Sequence, residues 1–423
     1  MTHKQLLNKS YDELVMEYKD HIDVFDNLFN LNTHDPEYIM TLYKQIKTVL
    51  IEKYNFYLTA VLSSIDDACD KNNKYIREYW KLFRMLCEEF QVHFTDEDLW
   101  SDHFTALISV VFGVKWYVND FFSNQTEEEL LDIHRNYPIL EYTMNDDIAK
   151  FKMYIIEYGF NPKETYLKSY YQRWNLLEFC AFYGSVNIWK FLISNYNIEI
   201  SKKCFELALI PCNVDIINDC MEKGFQPNDA CRENAIASHK IESVEYLNEH
   251  YGFDVDIMYV TYFFNLRYFL KLLDTGFDID ILFNYSPIFC IPSLCQYLID
   301  KGADIHKNFG ETTFRMSSKS MKTRLFLIEK GVEIDKMCIF PAAFNNYPDQ
   351  IKLLFDHGVD INMKDSNGKT PLHFAANNNS YDSLITLIEL GADLKAKDNS
   401  GKTPYDVAKY ESLEILRKYK NHK

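Results

Sequence analysis

Between Tyr11 and Asn30 apolar residues recur every three or four positions, at Leu14, Tyr18, Ile22, Phe25 and Phe29. That spacing paints one face of a helix. Ser10 with Glu13 forms the capping box that would open it. Asp35-Pro36 is a second start signal, leading into Tyr38 to Ile51. The same pattern predicts helices over Phe56 to Cys69 and Tyr75 to Phe90, the latter with Trp80, Phe83, Leu86, Cys87 and Phe90 on its inner stripe. Two more are expected, over Leu99 to Phe112 and from Thr126, which has Glu129 as its box partner, to Tyr137-Pro138. Residues 1–135 thus read as a helical bundle or cap.

Beyond residue 139 the pattern acquires a longer rhythm. An apolar helix ends repeatedly in Gly-x-Asp/Asn/Glu/Gln or a variant of it, at Gly159, Gly224, Gly252, Gly276, Gly302, Gly331, Gly358 and Gly391. Asn197 divides the one double interval, and asparagine is the next best residue for a left-handed helix end. Pairs of small residues precede the second helix of several units, as at Cys180-Ala181, Ser286-Pro287, Ala342-Ala343 and Ala375-Ala376. About ten helix pairs are expected over 136–423, degenerate and short over 139–337 and clearest over 338–420.

The clearest stretch reads D-S-N-G-K-T-P-L-H-F-A-A from Asp365 and D-N-S-G-K-T-P-Y-D-V-A from Asp398. The two copies are offset by 33 residues, since 398 − 365 and 403 − 370 agree. Gly368 supplies a turn, Thr370 can cap the helix and Pro371 suits its first position, where no N–H is needed. These residues resemble the ankyrin-repeat family. The resemblance implies an all-α solenoid of stacked helix pairs, stable only because each pair covers the apolar face of the next. It also implies a surface that binds other proteins, and a structural hydrogen-bonding role for His373. Leu384, Leu387 and Ile388 should lie against Ile351, Leu353 and Leu354. Residues 1–135 would then cover the exposed end of the first repeats.

With its helical front end, the chain is also similar to the large ankyrin families of trichomonad protists. That likeness rests on Leu176 to Ser185 (L-L-E-F-C-A-F-Y-G-S) and Ile291 to Ile305 (I-P-S-L-C-Q-Y-L-I-D-K-G-A-D-I). It adds little about mechanism.

Charge and cysteine usage narrow the partners. The net charge is −17, from 45 basic against 62 acidic residues. This disfavours nucleic acid and anionic lipid and favours a protein partner with a basic patch. Ten scattered cysteines without a C-x-x-C read as buried thiols of a reducing compartment, hence a cytoplasmic location. Met1 to Asp12 carries no apolar run of a signal peptide. The longest apolar stretch, Phe104 to Val114, is too short to span a bilayer, so membrane insertion is not expected.

No chemical motif displaces the binding reading. Gly-Lys-Thr at Gly368 and Gly401 lacks the upstream glycine of a phosphate loop, because Met363 and Ala396 stand there. No Cys/His set has zinc spacing. No catalytic residue, cofactor, metal or small-molecule substrate is therefore expected, and the protein reads as a non-enzymatic scaffold. What the family resemblance implies for binding falls on hairpin tips and inner-helix positions. These are Ser366, Asn367 and Lys369; Asn399, Ser400 and Lys402; Asn377 and Asn378; Phe344 and Asn345; and Phe182 and Tyr183. One rival is an adaptor whose front end recruits an enzyme complex, such as a ubiquitin ligase, while the repeats hold its substrate. Another is an enzyme housed in residues 1–135.

Overall fold

In the computed structural model of the protein, the described residues are 9–92, 94, 100–114, 125–132, 134, 137–163, 174–252, 256–307 and 310–421. Among them every regular element is helical, as the periodicity predicts. They form two compact units, one from Met1–Val92 with Trp100–Phe277 and one built on Asp278–Lys423.

The first unit begins with the front-end helices. Ser10 and Glu13 make the expected capping box. The single helix expected from Tyr11 is interrupted at Tyr18, leaving Tyr11–Glu17 and Lys19–Phe29. Pro36–Gln45 continues as a π-helical stretch, Ile46–Lys53. Leu58–Lys71, Ile76–Glu89 and Asp102–Phe112 follow. Thr126 and Glu129 also make their capping box, but the helix it opens is only Glu127–Leu130. The apolar stripes read from the sequence meet in a core where Leu28, Ile46, Leu50, Leu62, Phe83 and Leu86 are fully buried.

Five helix pairs complete this unit. They are Pro138–Met144 with Ile148–Tyr158, Leu176–Tyr183 with Val186–Tyr196, Lys202–Ala208 with Val214–Glu222, Asp229–Ala237 with Ile241–Tyr251, and Ile257–Tyr262 with Leu266–Asp274. The second unit holds five more: Ile279–Tyr285 with Pro292–Asp300, Gly310–Met316 with Met321–Glu329, Ile339–Phe344 with Pro348–Asp356, Pro371–Asn377 with Tyr381–Glu389, and Pro404–Val407 with Tyr410–Asn421. The expected core holds: Ile351, Leu354, Leu384 and Leu387 are fully buried, and their two helices pack together.

The sequence rhythm has a backbone cause. Gly159, Gly224, Gly252, Gly276, Gly302, Gly331, Gly358 and Gly391 all have positive φ, as does Asn197. A second left-handed residue, hidden in the sequence, reverses the chain between the two helices of most pairs. It is Asp146, Gly184, Cys212, His239, Phe264, Cys290, Asn346 and Asn379 in turn. Left-handed backbone is uncommon for any residue with a Cβ and unusual for a bulky one. The tertiary structure must therefore hold His239 and Phe264 there.

In the degenerate units a single side chain opens the inner helix. Asn175, Ser201, Asn228, Asp256 and Asp278 each cap the following helix by accepting a backbone N–H. In the complete unit Thr370 opens the helix and His373 Nδ1 accepts from the Thr370 amide at 3.1 Å. His373 Nε2 lies 3.0 Å from the Lys402 carbonyl and ties this helix to the next hairpin. The hairpins also meet directly, since the Asn399 amide donates to the Asn367 carbonyl at 2.9 Å. Buried amides mark the register between other units. Asn234 donates to Glu206 O (2.9 Å), Asn265 to Ile236 O (3.0 Å) and Asn378 to Phe344 O (2.7 Å). Each such bond is worth about 1 kcal/mol net, and far more is lost if one partner is deleted.

Candidate protein-binding face

The inner helices of the two units meet different surroundings. In the first unit the front-end helices lie against the turns between paired helices. Phe264 stacks on Phe25 (ring centroids 4.9 Å apart) and meets Phe56 at 5.5 Å. His239 stacks on Phe29 at 4.5 Å. The two bulky left-handed residues are thus the ones whose rings enter the front-end helices. Their aromatic contacts supply the burial that offsets an unfavourable backbone.

A charged cluster seals the same contact. Asp26 accepts from Arg267 Nε (3.1 Å) and Nη2 (2.9 Å), and His239 Nδ1 lies 2.9 Å from its other oxygen. His239 Nε2 faces the Phe263 carbonyl at 2.8 Å, so each ring nitrogen meets an acceptor. Burial acts against the Asp26 carboxylate, but the bonds and charges of His239 and Arg267 outweigh it and hold its pKa below the ordinary value. Further along, Lys71 Nζ bonds Glu233 (2.6 Å) and Asn234 (3.1 Å), and Tyr262 donates to Asp67 at 3.2 Å. At the first pairs, Lys74 Nζ reaches the Met144 carbonyl at 3.3 Å and His134 Nε2 lies 2.8 Å from the Tyr183 hydroxyl. The front end thus engages the first, second, fourth and fifth pairs, not the terminal repeat alone.

Burial takes one candidate, Phe182, away from the surface. Phe182 is 5% exposed and packs on Trp174 and Tyr183. Tyr183 has its hydroxyl on His134, and burial pushes its titration well up. Phe182 is an internal contact, whereas Tyr183 stays partly exposed with its hydroxyl engaged within the chain.

In the second unit the carried-over positions lie mostly at the surface. Ser366, Asn367, Asn399, Ser400, Lys402 and Asn345 are exposed, and Lys369, Asn377 and Phe344 are partly so. Asn378 is the exception at 4% exposed, its amide spent on the Phe344 carbonyl. Asn399 is exposed yet structural, since its backbone and side chain bond Asn367 and Ser366. Sequence reasoning missed three neighbours. Met337 is 47% exposed, Pro341 is exposed, and Phe374 is partly exposed, 5.3 Å from Phe340. Pro341 lies 33 residues before Phe374, so the period itself could have found that position.

Among the described residues no group of three or more His, Cys, Asp or Glu could hold a metal ion. No described helix is long and apolar enough to cross a membrane. Nine of the ten cysteines are buried and all are free. Burial pushes the thiols of Cys204 and Cys231 up to about 11, away from the reactive thiolate.

Comparison with known families finds two matched segments. Residues 354–408 match the family described as ankyrin repeats (many copies). Residues 195–272 match a family described as a domain of unknown function (DUF3447). No curated protein matches the chain. The second match covers the third to fifth helix pairs, with His239, Phe264 and Arg267 inside it. The first covers both complete hairpins, so the likeness to ankyrin repeats falls on 354–408 within an all-α fold of helix pairs.

Proposed function

We propose that the protein is a non-enzymatic scaffold that binds a partner protein through the inner face of its second unit. Ankyrin repeats generally mediate protein–protein interaction, and the ankyrin match coincides with the stretch whose inner positions stay at the surface. The observation that carries the reading is the contrast between Phe344 and Phe374, which are accessible, and Phe182, which is not. Aromatics bordered by polar tips make the centres of protein interfaces. The contact set is Phe344, Asn345, Ser366, Asn367, Lys369, Phe374, Asn377, Ser400 and Lys402.

On this reading residues 1–135 are a front region and 136–423 the repeat region, in the manner of the trichomonad-type ankyrin proteins. Ten unpaired cysteines suit a reducing cytoplasm. An adaptor with a freely recruiting front end fits less well, because Phe25, Phe29 and Asp26 are engaged within the chain.

Affinity capture from native cells tests the proposal. A Phe344→Ala, Phe374→Ala, Asn377→Ala variant should lose specific partners that a Phe182→Ala variant retains. An unchanged partner list would discard the face.

A further inference from the structure

The second unit carries a row of lysines that form no ion pair among the described residues. Lys336, Lys369 and Lys402 stand at equal intervals, since 402 − 369 and 369 − 336 are both 33. Lys369 and Lys402 sit on hairpins that touch, through the Asn399 amide on Asn367 O and Lys364 Nζ on Lys397 O at 2.8 Å. Lys336 and Lys402 are exposed and Lys369 partly so. Two cations of this unit are paired, Lys307 with Asp280 and Arg315 with Asp335, whereas among the described residues several other surface lysines, such as Lys352 and Lys395, are not, so the row stands out by its spacing and its aromatic neighbour rather than by lacking partners. Lys336, Lys369 and Lys402 enter no ion pair among the described residues.

The carboxylates nearby explain why. Asp365 is turned onto the amides of Asn367 (2.9 Å) and Lys369 (2.7 Å). Asp398 is turned onto those of Ser400 and Lys402, both at 2.9 Å. Asp335 accepts from the Met337 amide at 2.8 Å and from Arg315. Turn formation thus occupies the oxygens of these acids, which keep their charge, and none of them pairs with a lysine of the row. The same repeats hold the accessible apolar positions Met337, Pro341, Phe344 and Phe374, and Lys369 Nζ lies 5.8 Å from the Phe374 ring centroid.

We propose that this strip docks an extended segment of the partner protein in which carboxylates alternate with aromatic or aliphatic side chains. The proposal rests on the reading above that this face binds protein. A net charge of −17 argues for a basic partner only at long range. Fields from exposed charges are screened beyond about 8 Å at physiological salt, so at contact the local row decides. Such complementarity sets partner choice and on-rate more than total affinity. The acidic remainder of the surface repels nucleic acid, which favours a peptide over a phosphate backbone.

The test is selection of a random twelve-residue peptide library on the immobilised full-length protein, followed by fluorescence anisotropy on the enriched peptides. The expected result is an excess of Asp and Glu interleaved with aromatics. Such peptides should bind the Lys336→Glu, Lys369→Glu, Lys402→Glu variant about tenfold more weakly or worse. They should also weaken when Phe344 and Phe374 become Ala. A thermal melt matching the wild type certifies each variant, and Lys→Gln at the same positions replaces any that fails to fold. Enriched peptides that need Phe344 and Phe374 but show no acidic excess, and ignore the lysine changes, overturn this proposal and leave the face standing. Absence of any peptide that needs those phenylalanines overturns both. Tight binding of a twelve-nucleotide single strand, lost in the lysine variant, assigns the row to nucleic acid and overturns it as well.

Discussion

Asp26→Ala removes the acceptor on which the front end and the repeats converge. Three bonds vanish together, two from Arg267 and one from His239. The His239 side chain is 1% exposed and cannot turn to water, whereas that of Arg267 is 30% exposed and partly can. Breaking a fully buried pair from one side costs about 3–5 kcal/mol. The Asp26 side chain is itself 21% exposed, which lowers the figure to about 2–3 kcal/mol. Urea denaturation at pH 7 of wild type, D26A, R267A and the double variant measures both the loss and the coupling. A coupling of about 1–2 kcal/mol between the two sites is expected. The pH dependence follows from the sign of the shift. The folded carboxyl has a lowered pKa, so its contribution is complete above the unfolded value of about 4 and fades as the pH falls through the folded one. A loss below about 0.5 kcal/mol with no coupling would refute the idea that this cluster holds the front end in place.

Other consequences can be checked as simply. Gly368→Ala places a Cβ 2.4 Å from Asn399 Oδ1 at φ +74, whereas Gly391→Ala at φ +92 meets open space. Both should destabilise, by about 1 kcal/mol for Gly391 and clearly more for Gly368, in the same melting assay. Burial raises the Asp66 carboxyl to about 7, against bonds from Ser101 that favour its charged form. Between about pH 4 and 7 the folded chain then holds a proton that the unfolded chain has lost, so this residue destabilises the fold as pH rises. The stability of Asp66→Asn relative to wild type should therefore climb between pH 5 and 8, and a flat difference would be contrary. Phe264→Ala should cost about 3–5 kcal/mol and raise amide exchange in Lys19–Phe29, whereas Phe355→Ala, on a 38% exposed side chain, should stay near neutral.

The helix pairs were legible because each ends in a residue that tolerates positive φ, and glycine at that place writes the period into the sequence. The capping boxes at Ser10 and Thr126 were legible for the same local reason. Sites set by distant contacts were not. Asp26 and His239 lie 213 residues apart, and no periodicity connects them. The turn between paired helices uses Asp, Cys, His, Phe or Asn everywhere but at Gly184, so composition hides it until the backbone is seen. Phe182 fits a binding pattern by position, and only its packing on Trp174 makes it internal, while the partly exposed Tyr183 has its hydroxyl on His134. Asn378 looked like a free polar position, yet its amide serves the preceding unit.

Photocrosslinking from single positions tests the central claim most directly. A benzoylphenylalanine replacing Phe374 should give covalent adducts with a partner protein in native cells, and one replacing Phe182 should react only within the chain. Partner adducts from position 182 together with none from position 374 would contradict the account.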